Sequence, residues 1–475
     1  MSTEPPAFPP HEPPEPPVPP NPPRPAFVSR IVGPSLEVLR SGWGRAAVVA
    51  GGVLLVLYVL ALVLAWLQGE AISRFLPADA LPTGDPTAVV GLGTRALFSL
   101  MLFHGVSLDA RVAFPAGEVP FGLSIQVSAV LTLMLALAAA VYLLYMGGRW
   151  AARRDRPIGW LPGLRGLQIA GIYAVLAAVL AFIAGVDLPI PDVPGESLPT
   201  SISIGPSKIG AFGLPFLIAA VAAGAGALSG RLAPRERFGR LVLGGISGGW
   251  RAAWLAAALA SMGFLVVAAF NPDETRAYLD LLPGGGLPRV LLVVSTLLVV
   301  PNMGVGIAAA AMGGSINLAT NTDACAIISF LQFPGGVVDP IGATAGALEC
   351  ALPIDLGPAP FQYLLFLLVP LAATIAGGWL AAQRAGATEA EDGAMLGAAI
   401  ALPYALGLWG LALLARVGGS TSFFVAVSEG WVGPGLVSTV LVAIVWGALG
   451  GAIGGALAVR NASGPGINPG PPTNV

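Results

Sequence analysis

One stretch of the chain, LLVVPNMGVGIAAAAMGGS at residues 297–315, combines two features that rarely occur together. It is apolar enough to lie in a membrane, yet it carries a helix breaker, Pro301, followed by a carboxamide, Asn302. A proline removes one backbone hydrogen bond of a helix, and an asparagine in hydrocarbon needs hydrogen-bond partners. We therefore predict that this stretch opens a broken or re-entrant region at 301–359. The break is either a bend capped by Asn302 or a kink that lines a polar cavity.

The composition around this stretch is that of a membrane protein. Of 475 residues, 55% are hydrophobic and only 10% are charged. Apolar runs of about 20 residues match a hydrocarbon layer about 30 Å thick, in which a helix satisfies its own backbone groups. We predict an all-α fold, a polytopic transmembrane helical bundle of about nine or ten spans. The lipid bilayer is the predicted partner, and the net charge of −2 does not favour nucleic acid.

The predicted topology follows from the arginines beside the apolar runs. Arginines precede the first run, and a second cluster at 149–156 follows the next long run, which puts the N-terminus in the cytoplasm of a cell-membrane protein. A full crossing at 88–107 would invert that cluster, so we predict an interfacial or re-entrant helix there. A further crossing within 314–359 would bring the C-terminus inside. The predicted crossings are 46–67, 123–146, 167–184, 211–230, 252–270, 288–313, 360–382, 395–416 and 436–458.

The ends of the chain differ from its middle. Residues 1–40 are predicted to be a disordered cytoplasmic tail, because 13 prolines among the first 25 residues favour extended polyproline II structure. Such a tail either stays disordered or docks a protein partner with an aromatic groove. Residues 41–460 are predicted to form the bundle, and residues 461–475 a second disordered tail.

Glycines at four-residue spacing allow helices to approach closely. They occur at Gly226 and Gly230, and again at Gly447, Gly451 and Gly455. We predict that they pack helices within one chain or join copies of the chain in a homo-oligomer.

Polar side chains concentrate after the Pro-Asn pair. Polar and ionisable residues at membrane depth are costly, so they suggest a functional site. The alternative is that 314–359 is an external loop whose acids are solvated. The candidate residues for a polar cavity or broken-helix site are Pro301, Asn302, Asn317, Asn321, Asp323, Asp339, Glu349 and Asp355.

Recognisable catalytic motifs are missing from the sequence. The chain has two histidines, His11 and His104, and no HExxH helix or metal-ligand spacing. We predict no enzyme, no metal and no cofactor. His104 lies in FHGVSLDA, where we favour a structural interfacial role over a proton relay.

Three motifs resemble a family. LFHGVSL, VVPNMGVGIAAAAMGG and DLGPAPFQYLLFLLVPLAATIAGG resemble, in this order, the hydrophobic multi-pass membrane proteins of actinobacteria, which include the streptophobe group and the cell-division protein PerM. In that family a Pro-Asn pair ends an apolar run and a Gly-Pro-x-Pro turn opens a later helix. The matching residues here are Pro301, Asn302, Gly357, Pro358 and Pro360. The polar NLATNTDACAII at 317–328 departs from the family pattern.

The resemblance implies a non-enzymatic protein of the cell envelope or of cell division, acting as a scaffold or interaction protein. The residues themselves leave a second function open. A secondary transporter or lipid-handling protein would use broken segments within 301–356 as a polar site near the bilayer midplane.

Overall fold

The computed structural model describes ten stretches of the chain. They are residues 40–75, 90–113, 124–153, 161–189, 201–229, 237–279, 287–320, 324–329, 365–423 and 426–462. The predicted Pro-rich tail lies almost wholly outside the described residues, as does most of the predicted C-terminal tail.

Helices dominate the described residues, and eight short strands connect them. The helices are α1 Trp43–Phe75, α2 Leu92–Phe103, α3 Met134–Ala152, α4 Gly163–Ile183, α5 Lys208–Leu228, α6 Arg237–Phe270, α7 Pro272–Leu279, α8 Leu287–Ala311, α9 Leu368–Ala385, α10 Ala390–Ala398, α11 Ala401–Ala415 and α12 Leu436–Ala462. The strands are β1 Leu108–Ala113, β2 Ser124–Leu131, β3 Val186–Pro189, β4 Ser201–Pro206, β5 Ser315–Thr320, β6 Ala324–Ser329, β7 Val417–Phe423 and β8 Ala426–Pro434.

Nine helical segments of the described chain are long and apolar enough to cross a membrane, with α10 and α11 counting as one. Each overlaps one of the predicted runs, so the predicted polytopic helical bundle is confirmed. Helix α2, within the predicted 88–107 segment, has 12 residues. At about 1.5 Å per residue it is too short to cross about 30 Å of hydrocarbon.

The strands form one antiparallel sheet, which the sequence analysis did not predict. Its order is β3-β4-β1-β2-β7-β8-β5-β6. Every strand adjoins the same end of the bundle, and we call that end the sheet side. The opposite end is the arginine side, because Arg149, Arg384 and Arg460 lie in the last turns of α3, α9 and α12.

The same architecture occurs twice along the chain. The first half runs α1, α2, β1, β2, α3, α4, β3, β4, α5, and the second runs α6, α8, β5, β6, α9, α10 with α11, β7, β8, α12. The halves contribute strands in the same order, β3-β4-β1-β2 and β7-β8-β5-β6, and β2 pairs with β7 where they meet. The chain is therefore an internal duplication, with both halves oriented alike.

Glycine contacts support the equivalence of the helices. A Cβ on Gly148 of α3 would meet the backbone of Ala223 on α5, and a Cβ on Gly378 of α9 would meet the backbone of Gly451 on α12. The sequences around these glycines also match, with YMGGRWAARR at 145–154 and IAGGWLAAQR at 375–384. In each half, the helix that follows the first strand pair therefore packs against the last helix through glycine.

Most of the predicted glycine faces are occupied within the chain. Gly226 faces the Tyr145 backbone, Gly451 faces Gly397 and Gly455 faces Gly393. Gly230 lies outside the described residues. The described glycines at four-residue spacing therefore pack helices within one chain, which was the first of the two predicted roles.

Candidate functional site

Each half contains a helix that ends at a glycine turn and continues as a strand. Helix α2 leads through Gly105, at φ 71°, into β1, and helix α8 leads through Gly313, at φ 100°, into β5. These angles lie in the left-handed region, which suits glycine because it has no Cβ. The two elements read HGVS at 104–107 and MGGS at 312–315.

Both turns are held by equivalent backbone hydrogen bonds. The amide of Ser207, just before α5, donates to the Ser107 carbonyl at 2.9 Å. The amide of Gly435, just before α12, donates to the Ser315 carbonyl at 2.7 Å. The start of the last helix in each half therefore holds the strand that follows the turn.

In the first half, a buried histidine precedes the turn glycine. Nδ1 of His104 lies 2.8 Å from the Leu100 carbonyl, and Nε2 lies 2.6 Å from the Tyr173 hydroxyl. Because a carbonyl can only accept, Nδ1 carries a hydrogen, and in the neutral ring Nε2 accepts from Tyr173. His104 is fully buried and caps the C-terminal end of α2, which agrees with a structural role but places it inside the bundle and not at a lipid-exposed interface.

In the second half, a methionine takes the place of the histidine. The Tyr404 hydroxyl donates to Sδ of Met312 at 3.3 Å, and the indole nitrogen of Trp446 donates to the Met312 carbonyl at 3.0 Å. Tyr404 on α11 corresponds to Tyr173 on α4. The halves therefore share a tyrosine-to-turn contact but differ in its acceptor.

Thr132 connects the glycine turn of the first half to Asn302 in the second half. A Cβ on Gly105 would lie 2.7 Å from Oγ1 of Thr132, which places Thr132 directly against the turn. The side-chain Nδ2 of Asn302 donates to the Thr132 carbonyl at 2.8 Å. The backbone amide of Met134 donates weakly to Oδ1 of Asn302 at 3.4 Å. Asn302 thus fastens α8 to the junction between β2 and α3.

These contacts form a series of buried groups: Tyr173 bonds to His104, the Gly105 backbone packs against Thr132, and the Thr132 carbonyl bonds to Asn302. Tyr173, His104, Thr132 and Asn302 run from α4 to α8, and none is more than 5% exposed. We call this series the polar chain. It crosses from the first half of the duplication to the second.

The structure moves the predicted break along the chain. Helix α8 continues through Pro301 to Ala311, so the interruption falls at Gly313 and not at the Pro-Asn pair. The partners of Asn302 belong to another element, so Asn302 does not cap a bend in its own helix. The tertiary hydrogen bonds to β2 and α3 decided its role, and one sequence does not reveal them.

The other predicted site residues fall in two groups. Asn317 lies on β5 opposite Gly433 of β8, and its Oδ1 is buried without a hydrogen-bond partner among the described residues. It is not part of the polar chain. Five predicted site residues lie outside the described residues: Asn321, Asp323, Asp339, Glu349 and Asp355.

Sequence reasoning missed Thr132 and Tyr173 as site residues. Threonine and tyrosine are ordinary in apolar segments, so neither gives a signal alone. The signal was the repeated G-x-S after α2 and α8, followed in each half by a tyrosine. That repetition becomes visible only when the halves are aligned by their structure.

Arg416 lies at the sheet side of the second half, just after α11. The Arg416 guanidinium stacks on the Trp431 ring at 3.7 Å and donates to the Pro434 carbonyl at 3.4 Å. Partial burial lowers the pKa of this guanidinium from its ordinary value. Within the described ranges, no group of three or more His, Cys, Asp or Glu residues could hold a metal ion.

The fold and these contacts define a multi-pass membrane protein with a duplicated bundle. Residues 354–462 match the model of a protein family described as a family of unknown function, DUF7978. The match covers α9 to α12 with β7 and β8, the counterpart of α3 to α5 in the first half. No curated protein and no solved structure matches the chain.

Proposed function

We propose that the chain is a secondary transporter or lipid-handling protein of the cell membrane, with the polar chain at its working centre. The observation that carries this proposal is the pair of glycine turns, which bring two helix ends into the interior of a duplicated bundle. Repeats with discontinuous helices at their interface are a common transporter architecture.

The path of the chain supports re-entry of α8. Helix α6 is antiparallel to α9, since Gly244 lies against Ala381 near one end and Gly263 against Phe366 near the other. Helix α6 therefore ends on the sheet side, and α8 leads into β5 on that same side. The polar link through α7, of only eight residues, is unsuited to cross lipid. Helix α8 accordingly enters and leaves on the sheet side.

The depth of α8 agrees with this path. Asn302 lies at the junction of β2 with α3, whereas Met312 lies deeper, against Tyr404 and Trp446 within the helices. Irregular backbone at membrane depth is tolerated where protein buries it or where it lines a water-filled cavity.

The chemistry of the polar chain suggests a class of solute. His104 in its neutral form, Tyr173 and Asn302 carry neutral donors and acceptors, which here bond to one another and to backbone groups, so a solute would bind by replacing those bonds. Such groups replace the water around a neutral polar solute without leaving a charge buried. We infer a small neutral polar solute or an uncharged part of a lipid headgroup.

The orientation follows from the positive-inside rule. Arginines at the ends of α3, α9 and α12 share one side, which we assign to the cytoplasm together with the N-terminus. With α8 re-entrant, the end of α12 is also cytoplasmic. Nine crossings would instead place the C-terminus, with Arg460 beside it, outside the cell. Eight crossings place both ends of the chain in the cytoplasm.

Accessibility of position 132 tests the proposal. The variant Thr132→Cys, lacking Cys325 and Cys350, is placed in proteoliposomes and treated with a charged methanethiosulfonate from each side. We expect modification from both sides at unequal rates, because alternating access exposes the polar chain to each side in turn. A Glu429→Cys variant, exposed on the sheet, is the control. No modification of the Thr132→Cys variant while the control reacts fully would contradict transport.

The sheet favours a second candidate function, the envelope scaffold or cell-division partner implied by the family resemblance. Paired residues of neighbouring strands lie on one face, and one row across five strands is wholly polar. This row consists of Asp187, Ser203, Arg111, Gln126 and Ser422. If the scaffold role holds, Arg111→Glu should lower the yield of proteins cross-linked on the sheet side, while an unchanged yield would count against it.

A further inference from the structure

A groove separates α1 from α3 near the arginine side. Its volume is about 330 Å³, and its lining is almost entirely apolar. The lining residues include Val48, Gly52 and Val53 of α1 with Met146, Gly147 and Trp150 of α3.

The duplication explains why a groove separates these helices while their counterparts α6 and α9 pack closely. In the first half, a Cβ on Gly147 would meet the Val49 side chain. In the second half, a Cβ on the equivalent Gly377 would meet the Gly248 carbonyl and the Ala252 methyl. Valine therefore stands between α1 and α3, where glycine and alanine let α6 and α9 pack backbone to backbone.

Positively charged residues lie next to the lining residues of the groove at its arginine-side end. Arg149 and Arg153 are exposed at the end of α3, and Arg40 is exposed before α1. Arg45 donates to the Ala151 carbonyl at 2.6 Å, which joins the start of α1 to the end of α3 at this level. Trp150 lines the groove beside these arginines and is 45% exposed, and tryptophan is a residue type enriched at headgroup depth.

We infer that this groove binds an anionic glycerophospholipid, with one acyl chain between α1 and α3 and its phosphate beside Arg149 and Arg153. An acyl chain matches the apolar lining, and basic residues at the membrane surface attract anionic lipid. The site is separate from the polar chain and does not depend on the proposed transport function.

Native mass spectrometry of the full-length detergent-solubilised chain tests the site. The probes are palmitoyl-oleoyl phosphatidylglycerol and, as the neutral comparison, palmitoyl-oleoyl phosphatidylcholine. We expect one tightly retained phosphatidylglycerol. The double variant Arg149→Gln with Arg153→Gln should weaken its binding about tenfold or more and bring it close to that of phosphatidylcholine.

The variant Gly52→Leu fills the groove from α1, where a new side chain meets open space. It should displace the retained lipid while leaving the melting temperature close to that of the wild-type chain. Gly171→Leu, also facing open space but on α4, is the matched control and should keep the lipid. Equal retention by Gly52→Leu and Gly171→Leu would overturn the groove site. Equal binding of the two lipids by the wild-type chain would overturn the anionic preference.

Discussion

The Tyr173 hydroxyl lies 2.6 Å from Nε2 of His104, across a contact that is wholly buried. The equivalent contact in the second half joins Tyr404 to a thioether, Met312, at 3.3 Å. A duplicated fold has thus kept the tyrosine and changed its acceptor. The first turn is held by a strong polar bond and the second by a weak one, which leads to unequal consequences when either tyrosine is changed.

Removing the two tyrosine hydroxyls should have different costs. Tyr173→Phe leaves a buried imidazole nitrogen without a partner, which costs about 1–3 kcal/mol of unfolding free energy. Tyr404→Phe loses only a bond to sulfur, a weak acceptor, and should cost well under about 1 kcal/mol. Thermal unfolding of both variants in one detergent compares them directly. Equal losses would mean that the His104 contact has no special weight.

The hydrogen bond from Nδ2 of Asn302 to the Thr132 carbonyl should stabilise the contact between the two halves. Asn302→Asp keeps an acceptor for the Met134 amide but places an oxygen opposite the Thr132 carbonyl, and the charge is buried. We expect a loss of about 3 kcal/mol or more, larger than for Asn302→Leu, which leaves groups unpaired without adding charge. Urea unfolding in detergent measures both. If Asn302→Asp is as stable as the wild type, Asn302 is not packed as described.

Alanine substitutions at the two turn glycines should distinguish the cost of backbone strain from the cost of steric crowding. Alanine at Gly313 adopts an unfavourable φ in fairly open space, costing about 1–2 kcal/mol, whereas alanine at Gly105 also collides with Thr132. Adding Thr132→Ala to Gly105→Ala should recover part of that loss. The double-variant cycle should therefore show a favourable coupling. Simple additivity would show that Thr132 does not contact the turn.

Glycine packing of α3 against α5 and of α9 against α12 should be equally strict. A Cβ at Gly226 would overlap the Tyr145 carbonyl, and a Cβ at Gly454 would overlap the Ile375 carbonyl. Both Gly226→Ala and Gly454→Ala should sharply lower the yield of monodisperse protein on size-exclusion chromatography. Gly224→Ala, where a Cβ meets open space, is the control. A normal yield from Gly226→Ala would contradict the close approach of α3 and α5.

The helices could be predicted because each is a long apolar run, and hydrocarbon thickness sets the length of such runs. The sheet could not, because strands such as Leu108–Ala113 are short and adjoin helices of similar composition. Their stability comes from pairing with strands distant in the sequence, as in the pairing of Ile125 with Phe423. The local sequence pattern does not show which distant strands pair.

The candidate site was predictable only in part. Asn302 was singled out because a carboxamide in an apolar run must find partners, and it has two, the Thr132 carbonyl and the Met134 backbone amide. The identity of those partners depends on how α8 packs against β2 and α3, and the duplication that relates Tyr173 to Tyr404 has diverged too far to give a fixed period. Pro301 was misleading, since a long helix can continue through one proline when tertiary packing supports it.

The most direct test of the account is the side of the membrane on which the link between α6 and α8 lies. The single-cysteine variants Asp273→Cys in α7, Glu429→Cys in β8 and Glu391→Cys in α10 replace exposed residues and can be labelled with an impermeant maleimide. With Cys325 and Cys350 removed, we predict that Asp273→Cys and Glu429→Cys react from the same side and Glu391→Cys from the other. If Asp273→Cys reacts from the side of Glu391→Cys, then α8 crosses the membrane, and the re-entrant centre of the duplicated bundle does not exist.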